Sequence, residues 1–88
     1  MACSIEYKSS VRHDLKKLER KAVLRILDAI DEQLGTNPDA GSPLSGRFKG
    51  LFKFRVGNYR VIYSKTKNGV LILRIDIRGR VYKKDIVQ

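Results

Sequence analysis

Eighty-eight residues with 42% hydrophobic content make one domain, 1–88, rather than a disordered chain, and no apolar run approaches the roughly 18–20 residues of a membrane span. The lone cysteine, Cys3, excludes an internal disulfide and a cysteine-based metal cluster and fits a reducing cytoplasm, while Met1-Ala2-Cys3-Ser4-Ile5-Glu6 does not read as a signal peptide. The net charge of +10 sits wholly in the second half: residues 1–40 balance seven Lys/Arg with seven Asp/Glu, whereas residues 41–88 carry twelve Lys/Arg against Asp76 and Asp85.

Ser4–Lys8 is predicted as a short first strand, with Ser9 or Ser10 as the N-cap of a helix. Val11, Leu15 and Leu18 recur at helical spacing, and Val23, Ile26, Leu27, Ile30 and Leu34 make a second stripe. Gly35, with Pro38 three residues on, is placed to end that helix. Residues 36–50 read as a long connection rich in Gly, Pro, Ser and Asp. Everything after Leu51 is strand-like. The expected fold is α+β: an N-terminal strand and a two-helix antiparallel hairpin packed on one face of a three- to four-stranded, mainly antiparallel sheet.

Turn chemistry predicts the register. Gly57-Asn58 separates two alternating runs by two residues, a hairpin with a primed turn. It pairs Val56 with Tyr59, Arg55 with Arg60, Phe54 with Val61 and Lys53 with Ile62. Phe52, Phe54, Val56, Tyr59, Val61 and Tyr63 then share the core face. For the next hairpin, a three-residue loop Lys67-Asn68-Gly69 with a left-handed Gly69 is expected. It turns Leu71, Leu73, Ile75 and Ile77 to the core, sets Asp76 opposite Arg60, and sets Arg74 beside Ile62.

Basic residues therefore alternate with apolar ones, and the charge gathers on one open face. Arg55 and Arg60 lie side by side there, one pair from Asp76, with Lys53, Arg74, Arg78, Arg80, Lys83 and Lys84 near. Like charges directly opposite destabilise a sheet, so this face reads as a site for phosphates. His13, the only histidine, falls on the polar side of the first helix, which excludes a two-histidine nuclease. Asp28, Asp31 and Glu32 read as solvated helix acids rather than metal ligands. Tyr59 and Tyr63 follow core parity, whereas Tyr82 stands in the basic tail.

The run Leu51-Phe52-Lys53-Phe54-Arg55-Val56-Gly57-Asn58-Tyr59-Arg60-Val61-Ile62-Tyr63 resembles the central hairpin of RelE-type toxins of the RelE/ParE superfamily. Arg78-Gly79-Arg80-Val81-Tyr82-Lys83 resembles the tail of their archaeal-like versions. Asp14-Leu15-Lys16-Lys17-Leu18 and Leu44-Ser45-Gly46 match as well. The resemblance implies a toxin of a type II toxin–antitoxin system that acts in the cytoplasm and needs neither metal nor cofactor. It would enter the ribosomal A site and cut mRNA there. It would be a monomeric toxin held in a hetero-oligomeric complex with a cognate RelB-like antitoxin.

By the same resemblance, Arg60 steadies the scissile phosphate, Arg78 binds phosphate and protonates the leaving group, Tyr82 stacks on or orients the substrate, and Lys53 is a general base. Arg55, Arg74, Arg80, Lys83 and Lys84 bind RNA. The chain departs from the family at Leu51, where some members carry a second lysine, so the base stays open between Lys53 and its basic neighbours. A pentacovalent phosphate gains negative charge, and arginine offers planar, always-charged donors for it. A ParE-like gyrase-directed toxin and a non-catalytic nucleic-acid-binding or regulatory module are the alternative readings.

Overall fold

The computed structural model describes residues 4–77. Cys3, Arg78, Arg80, Tyr82, Lys83, Lys84 and Asp85 lie outside the described residues. In chain order the elements are β1 (Ser4–Tyr7), α1 (Ser10–Lys16), α2 (Arg20–Ala29), β2 (Ser42–Pro43), β3 (Leu51–Val56), β4 (Tyr59–Lys65) and β5 (Gly69–Ile77). They form the expected α+β arrangement, with the sheet ordered β1-β5-β4-β3-β2. The sheet has one strand more than expected, because Ser42 and Pro43 add a two-residue edge beside Lys53 and Phe52. β1 runs parallel to β5, and the other pairs are antiparallel.

The two apolar stripes lay α1 against β5 and α2 against β3. Val11, Ile26, Ile30 and Leu34 are buried, with Leu15 and Leu18 packed against them. Residues four apart drift around an α-helix of 3.6 residues per turn. A wider π turn over Ile30–Leu34, where the Gly35 N–H reaches back 3.1 Å to the Ile30 carbonyl, offsets that drift and brings Leu34 back to the core. Both helix ends fall where expected, at Ser9 and Gly35, but without the usual capping geometry. Ser9 precedes α1 without a side-chain capping bond. Gly35 keeps φ at −66°, and the Thr36 hydroxyl instead satisfies the Glu32 and Gln33 carbonyls at 2.9 and 3.2 Å.

The β3–β4 hairpin has the predicted register at every pair from Val56–Tyr59 to Lys53–Ile62. Gly57 takes φ +59° and Asn58 stays out of the left-handed region, as in a type II′ turn. The β4–β5 hairpin matches at one end only. Arg60 faces Asp76, Val61 faces Ile75 and Ile62 faces Arg74, but Tyr63 then faces Ile72. The register shift leaves Leu73 as the extra residue of a β-bulge. Leu71 and Leu73 are therefore not core residues; Val70 and Ile72 are, each fully buried.

The turn was expected to absorb the odd residue, and the strand absorbs it instead. Thr66 and Gly69 close a two-residue loop, Lys67-Asn68, through a 2.8 Å bond from the Thr66 N–H to the Gly69 carbonyl. Gly69 is not left-handed. Its missing side chain serves β1, since a Cβ there would stand 1.9 Å from the Ser4 carbonyl oxygen. Past Tyr7 the free edge of β5 is covered by α1, where Asp14 accepts the Ile75 N–H at 3.1 Å.

Candidate nucleic-acid interface

Opposite the helices, the sheet presents rows of side chains across β5, β4 and β3. One row is Asp76, Arg60, Arg55; the next is Arg74, Ile62, Lys53; the third is Leu71, Ser64, Leu51. Neighbours in such a row have Cβ atoms about 4.5–5.5 Å apart. The sheet thus brings Lys53, Arg55, Arg60 and Arg74 together on one face. The Arg74 Nε lies 2.5 Å from Asp76 Oδ2, with the carboxylate side chain mostly covered and the arginine open to solvent. Asp76 so offsets part of the repulsion between the facing arginines, and four cations share one acid on the described strip.

Two features on and around this face were not foreseen. The bulge puts Leu71 and Leu73 on it, beside half-buried Leu51 and Ile62, so a half-apolar patch adjoins the cations. Four aliphatics in a row, Val70 to Leu73, carry no alternation from which to read this. The second is Arg25 of α2, from the charge-balanced half of the chain. Its guanidinium stands 3.6 Å from where a Gly57 Cβ would be, at the hairpin tip next to Arg55. A groove there is lined by Arg25, Asp28, Glu32 and Arg55 among others. Helical periodicity places Arg25 on a polar face but gives no hint that the face meets a turn thirty-two sequence positions away.

The remaining candidates fall elsewhere. His13 is exposed on α1, and Asp28, Asp31 and Glu32 are exposed on α2 and the turn that follows. No three His, Cys, Asp or Glu among the described residues stand close enough to hold a metal ion. Tyr63 is wholly buried and stacks on Phe52 with ring centroids 5.5 Å apart. Its hydroxyl donates to the Pro38 carbonyl at 2.9 Å and accepts the Gly41 N–H at 3.0 Å. Lys65 sits over the Phe52 ring at 4.8 Å and pairs with Asp39. These contacts tie the long connection to the sheet at the end remote from the Arg55–Arg60 pair. No described helix is long and apolar enough to cross a membrane.

A surface of planar cations on a rigid sheet, with apolar ground beside it, suits a ligand carrying both phosphates and bases. A family model described as the ParE toxin of the type II toxin–antitoxin system parDE matches residues 5–82. A search of curated protein sequences returned no match. Among solved structures, the toxin–antitoxin complex RelBE2 from Mycobacterium tuberculosis is similar at 28% identity and TM-score 0.83, covering 89% of this chain and 100% of that one. The archaeal RelE–RelB complex from Pyrococcus horikoshii is 29% identical with TM-score 0.66, over 91% of this chain and 99% of that one. A mutant of the E. coli toxin RelE bound to an antitoxin RelB peptide shares the fold, with 16% identity, TM-score 0.73, and coverage of 97% and 95%.

Proposed function

Because the chain belongs to the ParE toxin family of type II toxin–antitoxin systems, within the RelE/ParE superfamily, we propose that it acts as a RelE-type toxin that cuts mRNA in the ribosomal A site of the cytoplasm. The observation that carries this reading is the one-sided strip of Lys53, Arg55, Arg60 and Arg74 with a single acid, Asp76. The ribose 2′-oxygen attacks the adjacent phosphorus, the bond to the 5′-oxygen breaks, and the products are a 2′,3′-cyclic phosphate and a 5′-hydroxyl. Arg60 meets the phosphate as its charge grows. Lys53, or a basic neighbour, takes the 2′-hydroxyl proton. In the tail, Arg78 returns a proton to the leaving oxygen and Tyr82 orients the base, with Arg80, Lys83 and Lys84 on the backbone. The guanidinium charges do the work a divalent ion does in other nucleases, so no metal is needed.

The strip holds no strong base, so alignment by the ribosome supplies much of the rate. A RelB-like antitoxin restrains the toxin, in keeping with the RelB–RelE complexes to which the fold is similar. The test is primer extension on mRNA in a purified translation system, against the same mRNA without ribosomes. Cuts confined to ribosome-bound message, unaffected by a chelator, are expected. Equal rates on naked RNA would sink the reading. The name of the matched family model favours a second reading, a gyrase-directed toxin. Intact message together with loss of DNA supercoiling activity would select it.

A further inference from the structure

Between β2 and β3 the chain makes a single tight turn, Gly46–Phe48, bracketed by two left-handed glycines, Gly46 at φ +66° and Gly50 at φ +96°. No atom lies within 4 Å of where a Cβ would stand on either, so the turn projects into open space. It is nonetheless held in shape. The Phe48 N–H reaches the Ser45 carbonyl at 3.2 Å, the Lys49 N–H the Gly46 carbonyl at 3.1 Å, and the Leu44 N–H the Leu51 carbonyl at 2.9 Å.

This turn displays Arg47, Phe48 and Lys49, all exposed, with Phe48 at 52%. A large apolar ring left in water on a braced turn calls for an explanation. The other exposed large hydrophobics among the described residues, Tyr7 and Leu24, belong to β1 and α2. Phe48 is thus not one corner of a broad apolar patch of the kind that docks a protein. A single aromatic face between two cations instead fits a nucleotide, whose base stacks on the ring while neighbouring phosphates meet the charges. The electrostatics agree: from Gly41 to Ile75 the chain has eight Lys/Arg and no Asp or Glu.

We propose that the Arg47-Phe48-Lys49 turn is a second RNA contact, in which Phe48 stacks an unpaired base outside the cleavage strip and Arg47 and Lys49 hold its flanking phosphates. The proposal rests on the reading of the open sheet face as an RNA surface, and it adds register. Phe48 is five residues from Lys53, within roughly 17 Å along the chain. A base anchored there helps decide which phosphate arrives at Arg60, so the turn contributes to where the message is cut.

The test measures binding of a short labelled single-stranded RNA oligonucleotide to the purified chain across a salt series, with cleavage positions mapped in parallel on programmed ribosomes. Phe48→Ala is expected to weaken binding roughly 5- to 150-fold, the range for loss of one stacked base. Phe48→Leu should behave like Phe48→Ala, and Phe48→Trp like the parent, because the π-face and not the bulk is what binds. Arg47→Ala with Lys49→Ala should flatten the salt slope by roughly 1.4. Phe48→Ala should also blur the choice of cut site on programmed ribosomes. Unchanged binding and unchanged cut sites in Phe48→Ala, with a parent that binds and cuts, overturn this proposal alone. So does an intact Phe48→Leu, or a Phe48→Ala that loosens only an antitoxin. A parent chain that binds no RNA at low salt overturns both this proposal and the reading beneath it.

Discussion

Among the described residues, Tyr63 is the one large, fully buried side chain that carries a polar atom into the core, and its hydroxyl is satisfied on both sides by Pro38 and Gly41. Tyr63→Phe leaves the Gly41 N–H and the Pro38 carbonyl without that partner, so a loss of about 1–3 kcal/mol is expected in denaturant unfolding at neutral pH. Burial pushes the Tyr63 hydroxyl above the ordinary tyrosine value of 10.0, against smaller lowering effects of the Gly41 bond and Lys65. Burial, with help from Asp31, also pushes Tyr7 up. A raised tyrosine pKa means that the unfolded chain ionises first as pH rises past 10. The stability is therefore whole below pH 10 and declines above it. The gap between the parent and Tyr63→Phe should narrow in that alkaline window, and a gap independent of pH would contradict the assignment. On the open face, Arg60→Ala should slow ribosome-programmed cleavage by roughly 10²–10³, as for loss of one donor to a transition-state oxyanion. Lys53→Ala should change the pH profile of the rate if Lys53 takes the proton.

At the scale of elements, the bulge in β5 decides which aliphatics support the core. Ile72→Ala should cost about 2–5 kcal/mol, as for other fully buried side chains. Leu73→Ala, on the half-exposed open face, should cost about 1 kcal/mol or less. Plain alternation from the Arg74–Ile62 pair gives the reverse order, so the two unfolding curves tell the registers apart. The same strand shows what was legible beforehand. The register of β3 on β4 could be read because Gly57-Asn58 sets a two-residue turn and the flanking runs alternate cleanly. That alternation also brought Lys53, Arg55 and Arg60 to one face. The Asp76–Arg60 and Arg74–Ile62 pairs were readable because burying Ile75 demands them. The bulge was not, since turn and strand can each absorb one residue and Val70 to Leu73 do not distinguish them. β2 was missed because two residues at an edge carry no period. The π turn was hidden because it only corrects the phase of a stripe already visible.

For the molecule as a whole, the division of charge separates two tasks. The balanced first forty residues supply the helices that cover one face of the sheet. The rest supply every described strand but β1, and nearly all of the cations that face a ligand. A RelB-like antitoxin that neutralises this half should associate quickly at low salt. Its on-rate should fall steeply as salt is added, with the off-rate much less affected. Stopped-flow binding over a salt series checks this. A salt-independent on-rate would place the contact on the balanced half instead.

The parallel pairing of β1 with β5 has a consequence for the order in which the chain can assemble. Ser4 hydrogen-bonds into the sheet beside Gly69, so the first strand has no neighbour until almost the last one exists. Contacts this distant in sequence are late and slow to form. During synthesis the helices and the β3–β4 hairpin emerge while β1 waits and the core stays open on one side. The fold thus cannot close until β5 has been made. Nascent chains arrested ahead of Gly69 should remain sensitive to protease, and chains released past Ile77 should resist it.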